Sequence, residues 1–163
     1  GASAEELGRE VMECARFGEV DELRAALAAG GDVNFADDGG NTALHRAAAN
    51  GEVDCMRVLV DAGATYGPNS SGNTPLHWAA LNQRHAAAEL LLSSFTCDVL
   101  AKNGFGRSAL TEAFSSGNAD VARLLLQHRS ATEERLTDPG DEPAAAPAAA
   151  GAAPPPPASI VHE

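Results

Sequence analysis

A nine-residue segment of this chain recurs at a nearly constant spacing. Residues 40–48 read Gly-Asn-Thr-Ala-Leu-His-Arg-Ala-Ala, residues 72–80 read Gly-Asn-Thr-Pro-Leu-His-Trp-Ala-Ala, and residues 106–114 read Gly-Arg-Ser-Ala-Leu-Thr-Glu-Ala-Phe. The copies start 32 and 34 residues apart, and each leads into a second apolar stretch. A period near 33 residues is typical of supersecondary units stacked in a solenoid. We therefore expect apolar surface to be buried between neighbouring repeats rather than in one central core.

The repeated segment has the residues of a tight turn followed by a helix. A hydroxyl residue stands two positions after each glycine and is suited to cap the helix that follows. Pro75 suits the first turn of such a helix, where a backbone N–H would be unpaired in any case. The turn itself is predicted to need a positive φ, which glycine adopts without steric cost, at Gly40, Gly72 and Gly106.

This pattern resembles the ankyrin-repeat family, whose unit is a turn, two antiparallel helices and a hairpin-forming loop. A fourth, fainter copy comes first, because Ala-Arg-Phe-Gly at residues 15–18 lies 33 residues before Ala-Ala-Asn-Gly at residues 48–51. The resemblance implies an all-α solenoid of four helix-turn-helix repeats with hairpin-like loops. We expect the repeats at about residues 4–36, 37–68, 69–102 and 103–136, in one domain over residues 1–136.

Three repeats depart from this pattern. The first lacks the Thr-x-Leu-His turn and carries charged residues there, which suits the polar outer face of a terminal repeat. The third lacks the glycine that ends its second helix, and residues 93–99 predict a longer loop. In the fourth, Ser130 followed by Glu133 is a capping-box pattern. It predicts a short helix through about Leu136 that closes the stack.

The composition changes after Leu136. Residues 137–163 are rich in Ala and Pro and include four consecutive prolines at residues 154–157. Such a segment cannot bury apolar surface, so we predict a disordered Ala/Pro-rich linker. A spacer is favoured there over a proline-rich ligand for an SH3-type groove. Apolar β-branched residues return at Ile160 and Val161, and we expect another domain to follow Glu163.

Charge and hydropathy restrict the classes of partner. The chain has 23 acidic and 11 basic residues and a net charge of −12, which argues against non-specific binding to nucleic acid or to an anionic membrane. No apolar run approaches the ~20 residues of a membrane span, and no signal-peptide pattern is present. We expect a monomeric cytoplasmic or nuclear protein. The acidic residues crowd the first repeat, which suits either a solvated terminal face or a docking surface for a basic protein.

No motif indicates catalysis, a cofactor or a bound metal. His45 and His77 recur at one repeat position, where the resemblance implies a histidine that braces the turn by hydrogen bonding. The other histidines have no spacing to cysteine or carboxylate that suits zinc, and the chain has no phosphate-binding loop or Ser/His/Asp arrangement. We therefore expect a chain that is not an enzyme. The odd number of cysteines predicts free thiols, at Cys14, Cys55 and Cys97.

Function is then expected to reside in the surface. In proteins similar to this one, partners lie against the concave side, which is formed by the hairpin tips and the exposed ends of the first helices. Large or charged side chains at variable positions of that side are predicted to bind a partner protein. For Trp78 a role as a filler between repeats is equally open, whereas glycines on both sides are expected to hold Phe105 out on its loop. The predicted partner-binding residues are Arg46, Tyr66, Trp78, Leu81, Asn82, Phe105 and Arg107.

Two narrower resemblances offer alternatives to a general binding scaffold. Residues 72–82 and 103–108 are similar to small acidic ankyrin chaperones that hold a basic ribosomal protein before assembly. Residues 130–136, together with the apolar residues that return at Ile160, are similar to ankyrin units joined ahead of a catalytic domain such as a protein methyltransferase. There the repeats would recruit substrate. The net charge favours the first alternative and the linker favours the second.

Overall fold

A computed structural model describes residues 3–117, 119–129 and 131 of the chain. This part is all-α, as predicted, and its only β-type pairings are two isolated bridges, Ala36 with Thr42 and Lys102 with Ser108. Short turns join its eight helices into four pairs. The helices are α1 (Ala4–Phe17), α2 (Val20–Ala28), α3 (Ala43–Asn50), α4 (Val53–Asp61), α5 (Pro75–Leu81), α6 (His85–Ser94), α7 (Ala109–Ser115) and α8 (Ala119–Leu126).

Each helix pair packs on the next pair along the chain. The first helices of the pairs, α1, α3, α5 and α7, contact one another in order, and the second helices, α2, α4, α6 and α8, form a parallel row behind them. One apolar core runs through all four pairs. The first helices approach closely because the residues between them are small and fully buried, as at Ala47, Ala48, Ala79 and Ala80.

The predicted turns and caps are confirmed. The N-caps Thr42, Thr74 and Ser108 have extended backbones, and each hydroxyl accepts the N–H of the residue three positions later. The three glycines that begin the repeated segments all have a positive φ, between 76° and 80°. Pro75 occupies the first turn of α5. The repeated segment thus folds locally as its residue types dictate.

The first repeat begins with a different cap. The Ser3 side chain accepts the Glu6 N–H at 3.1 Å, and the Glu6 carboxylate accepts the Ser3 N–H at 2.8 Å. This reciprocal capping box starts the longest helix of the described chain, α1. The cap lies earlier in its repeat than the Thr-x-Leu-His turn does in the others, so α1 is longer than α3, α5 and α7.

The third repeat has the longer ending that was predicted for residues 93–99. Helix α6 runs to Ser94, and Phe95 follows it in an extended conformation with φ −135° and ψ 162°. The loop then buries Cys97, Val99 and Leu100 against the core. Buried apolar side chains therefore anchor a segment that has no helix-ending glycine.

Three sequence predictions lie outside the described residues or reach beyond them: the short helix from Ser130 to Leu136, the Ala/Pro-rich linker, and the domain boundary at Leu136. Among the helices that are described, none is long and apolar enough to cross a membrane. Cys14, Cys55 and Cys97 are all buried free thiols. Burial raises the pKa of each of these thiols to about 11.

Candidate protein-binding surface

The hairpin tips, residues 37–41, 69–73 and 103–107, are braced by the first residue of each tip. The Asn69 Oδ1 accepts the backbone N–H groups of Ser71 and Asn73, both at 2.9 Å. Asp37 and Asn103 hold their own tips in the same way. The sequence analysis assigned the hairpin tips to the side that meets a partner, but the side chains of these three residues bond within their own tips. The recurrence of Asp or Asn at this repeat position was the signal that it missed.

Hydrogen bonds also join each tip to the next. The Ser70 N–H donates to the Gly39 carbonyl at 2.9 Å, and the Gly104 N–H donates to the Ser71 carbonyl at 2.8 Å. Asparagine side chains continue the row, because Asn69 Nδ2 donates to Asn41 Oδ1 and Asn103 Nδ2 to Asn73 Oδ1. The three tips therefore form one rim. We call this rim, with the exposed sides and ends of α1, α3, α5 and α7, the first-helix face.

His45 and His77 tie each tip to the helix of the preceding repeat. The Nε2 of His45 donates to the Asn73 carbonyl at 2.8 Å, and that of His77 donates to the Arg107 carbonyl at 3.0 Å. Their Nδ1 atoms accept the N–H groups of the helix caps. Burial lowers the pKa of both imidazoles to about 4, so both are neutral at pH 7. The turn-bracing role implied by the resemblance is present, and it extends across repeats.

Trp78 is largely buried on the first-helix face. Only 4% of the residue is exposed, and it packs against Ala49 of the preceding repeat. Its ring also meets the His45 imidazole edge-on, with centroids 5.4 Å apart. These contacts match a role for Trp78 as a filler between repeats. They leave little of the indole surface for a partner to contact.

Two predicted arginines lie in internal ion pairs. Arg46 Nη2 is 2.8 Å from Asp37 Oδ2, and the Arg46 guanidinium lies 5.9 Å from the centroid of the Trp78 ring. Arg107 is buried and its Nη2 is 3.2 Å from Glu112 Oε1. Both positive charges are therefore matched by a carboxylate of the chain itself. The pairing of Arg107 with Glu112 joins a tip to a helix, which residue spacing alone does not indicate.

The remaining predicted residues differ in exposure and position. Phe105 is 43% exposed at its tip, while Leu81 and Asn82 are half-buried at the end of α5. Tyr66 packs against the main core and stacks on Phe95 with ring centroids 5.5 Å apart. The expected single cluster of large side chains is therefore divided. Tyr66 belongs to the core between repeats, and Phe105 is the aromatic residue of the predicted set that is open to a partner.

One exposed aromatic residue on this face was not in the predicted binding set. Phe17 ends α1 and is 51% exposed, with the Arg16 guanidinium 5.0 Å from the centroid of its ring. Its repeat position is that of Asn50 and Asn82, at the end of a first helix. That alignment places Phe17 among the exposed ends of the first helices, where the sequence analysis expects a partner.

The part of the chain that the structure describes holds no group of three or more His, Cys, Asp or Glu side chains arranged to bind a metal ion. The tip asparagines, the two buried histidines and the arginine–carboxylate pairs on the first-helix face instead bond to the backbone or to each other. The arrangement provides a braced surface with exposed aromatic side chains near its two ends.

Comparison with known proteins gives the same repeat pattern. The model for "Ankyrin repeats (3 copies)" matches residues 11–103. An ankyrin repeat protein of Escherichia coli (strain K12), YahD, is 27% identical over 144 residues, which are 86% of this chain and 70% of YahD. The E3 ubiquitin-protein ligase Ufd4 of Drosophila melanogaster is 32% identical over 72% of this chain, and the palmitoyltransferase Hip14 of the same species is 31% identical over 63%.

The shared segment is a small part of the two larger relatives, since it makes up 4% of Ufd4 and 16% of Hip14. What this chain has in common with them is the repeat region. The family model covers more than half of the 163 residues. With four stacked helix pairs, capped turns and inter-repeat histidine bonds, the chain belongs to the ankyrin-repeat family.

Proposed function

We propose that this chain is a protein-binding module whose partner lies on the first-helix face, the concave face of related proteins. Ankyrin repeats generally mediate protein–protein interaction. The observation that carries the proposal is the exposure of Phe105 on a tip whose backbone is already fixed by Asn103. A rigid loop loses little conformational entropy on binding, and an exposed aromatic ring offers apolar area to bury.

Near the centre of the first-helix face, Leu81 is the partly exposed apolar side chain. Trp78 packs on Ala49 there, with Leu81 half-buried one helical turn further along α5. Arg46 and Arg107 are neutralised by their own carboxylate partners. A partner would therefore gain most from burying apolar surface, with charge mainly influencing the rate of association. Phe105 is proposed as the main contact, with Arg46, Trp78 and Arg107 as fixed neighbours on the same face.

Phe105→Ala is expected to weaken partner binding about tenfold, or about 1.4 kcal/mol, because the exposed ring is lost from the interface. The melting temperature should hardly change, because the ring makes no core contact. The partner is first captured from cell extract on the immobilised chain and then purified, so that dissociation constants can be measured by titration. Arg57→Ala, at an exposed position of the second-helix row, is the control and should bind like the wild type.

The competing location is the acidic first repeat, where a basic partner would bind. It is favoured by the net charge of −12 and by exposed carboxylates on α1 and on the turn after it. It is the surface that an acidic chaperone of a basic ribosomal protein would use. Charge reversal distinguishes the two surfaces: Glu10, Glu13 and Glu19 are changed together to lysine. The matched control reverses Asp54, Asp61 and Glu89 in the second-helix row. Loss of binding only with the first triple variant, and none with Phe105→Ala, would contradict the proposal.

A substrate-recruiting region of a larger enzyme is the second candidate. It is favoured by the similarity to Ufd4 and Hip14, whose names describe a ubiquitin ligase and a palmitoyltransferase. In that case the first-helix face would hold the substrate for a catalytic domain elsewhere in a longer polypeptide, such as the protein methyltransferase domain that the resemblance of residues 130–136 implies. Methyl transfer from S-adenosylmethionine to the captured partner by the full-length gene product, absent with these 163 residues alone, would establish this role.

A further inference from the structure

Three buried side-chain donors in the two middle repeats of the first-helix face have no hydrogen-bond acceptor among the described residues. They are Arg46 Nη1, Asn73 Nδ2 and Trp78 Nε1. Buried polar groups in folded proteins are nearly always bonded, so each exception needs an explanation. Trp78 is 4% exposed and its indole N–H can only donate. This part of the face therefore has donors that another molecule could satisfy.

The shortage of acceptors arises because the third repeat lacks a carboxylate that its neighbours have on this face. In the second repeat, Asp37 Oδ2 accepts Arg46 Nη2 at 2.8 Å. In the fourth, Glu112 Oε1 accepts the arginine of its own tip at 3.2 Å. The third repeat has Asn69 at the repeat position of Asp37 and Trp78 at that of Glu112. Both residues present N–H groups where the neighbouring repeats present carboxylate oxygens.

A buried acceptor without a bond lies in the same region, at Asn50 Oδ1. Asn50 follows Arg46 by one helical turn on α3, and the two residues flank Ala49, on which Trp78 packs. The Arg46 guanidinium lies 5.9 Å from the centroid of the Trp78 ring. A carboxylate can only accept hydrogen bonds, whereas a peptide group has both a carbonyl oxygen and an N–H. This mixture of donors and an acceptor fits polypeptide backbone.

We propose that a backbone peptide group of the partner binds beside Trp78. Its carbonyl oxygen accepts the Trp78 N–H and Arg46 Nη1, and its N–H donates to Asn50 Oδ1. The inference rests on the proposed function, because the bond lies within the first-helix face. Charge favours a neutral group, since Asp37 already balances Arg46 and the chain carries −12. The half-buried Leu81, one turn after Trp78 on α5, moves aside to admit it.

The indole proton of Trp78 is the first readout of the test. Trp78 is the only tryptophan of the chain, so its indole N–H gives a single NMR resonance in the isotope-labelled full chain. The chain is titrated with the partner purified after capture. We expect the indole proton to move downfield at saturation, because a hydrogen bond to a carbonyl oxygen deshields it.

The second readout is the affinity of a variant that lacks this proton. Benzothienylalanine in place of Trp78 keeps the size of the bicyclic ring and replaces its N–H with sulfur. We expect it to weaken partner binding about fivefold, the effect of losing one neutral hydrogen bond, without lowering the melting temperature. Trp78→Phe should weaken binding at least as much but also lower the melting temperature, because the smaller ring fills less space.

Phe105→Ala separates this inference from the proposed function. If Phe105→Ala leaves the affinity unchanged and the indole resonance does not move, both are overturned. If Phe105→Ala weakens binding, then an unmoved indole resonance at saturation, or an unchanged affinity of the benzothienylalanine variant, overturns this inference alone. A loss of affinity in that variant that shrinks steeply as salt is added would assign the acceptor to a carboxylate and overturn the choice of backbone.

Discussion

Gly72→Ala is expected to destabilise the chain far more than Gly106→Ala, although both glycines begin a repeated segment with nearly the same backbone angle. Their φ values are 80° and 76°, a region that costs an L-residue roughly 1–2 kcal/mol. At Gly72 a Cβ would also lie 2.8 Å from the Gly104 backbone N and 3.0 Å from the Asn103 Cα. At Gly106 it would meet nothing within 4 Å.

The clash at Gly72 is with backbone, which a rotamer change cannot relieve. It also falls where the Gly104 N–H bonds to the preceding tip, so the row of tips would have to separate. We expect a loss of about 3 kcal/mol for Gly72→Ala and about 1 kcal/mol for Gly106→Ala. Urea unfolding of both variants measures the difference. Equal losses would mean that the tips are not packed against each other as described.

Acidification from pH 6.5 to pH 4 is expected to destabilise the fold through His45 and His77. Burial lowers the native pKa of each imidazole to about 4, whereas the unfolded chain titrates near pH 6.5. Between these values the unfolded state binds more protons, so stability decreases as the pH falls. Each histidine contributes about 3 kcal/mol to this loss when it is complete.

His77→Gln isolates this effect from the titration of carboxylates. Glutamine can still serve the capping box of Thr74 but takes up no proton in this range. The change should cost about 1 kcal/mol at pH 7, from the lost bond to the Arg107 carbonyl, and should roughly halve the dependence on pH. Urea unfolding at pH 7, 6, 5 and 4 measures both. His85→Gln, at an exposed position, is the control, and an unchanged slope in His77→Gln would contradict the assignment to buried imidazoles.

The fold was predictable because the residues that form the turn and cap the first helix recur from repeat to repeat. A glycine, a hydroxyl cap and a buried leucine recur in register, and the structure places Leu44, Leu76 and Leu110 in the core accordingly. The cap of α1 was not predicted, because Ser3 and Glu6 form a different capping box, which the repeat pattern does not contain. The pattern predicts what the repeats share and gives less guidance where one repeat differs.

The binding surface was less predictable because exposure depends on neighbours from other repeats. Trp78 and Arg46 occupy the same repeat position, but their exposure depends on the residues that surround them. Trp78 packs on Ala49, and Arg46 pairs with Asp37. Phe105 differs in that its tip lies at the edge of the stack, with glycine on both sides. The exposure of Phe105 could therefore be predicted from its neighbours in the sequence.

Hydrogen–deuterium exchange of the chain with and without its purified partner tests the proposed surface most directly. We expect binding to slow exchange in the tip around Phe105 and at the ends of α3 and α5, which form the first-helix face. The second helices α4 and α6 are the internal reference and should exchange at the same rate in both states. Protection confined to the first repeat, at α1 and α2, or to the second-helix row, would contradict the account, because the tip around Phe105 and the ends of α3 and α5 would then make no contact with the partner.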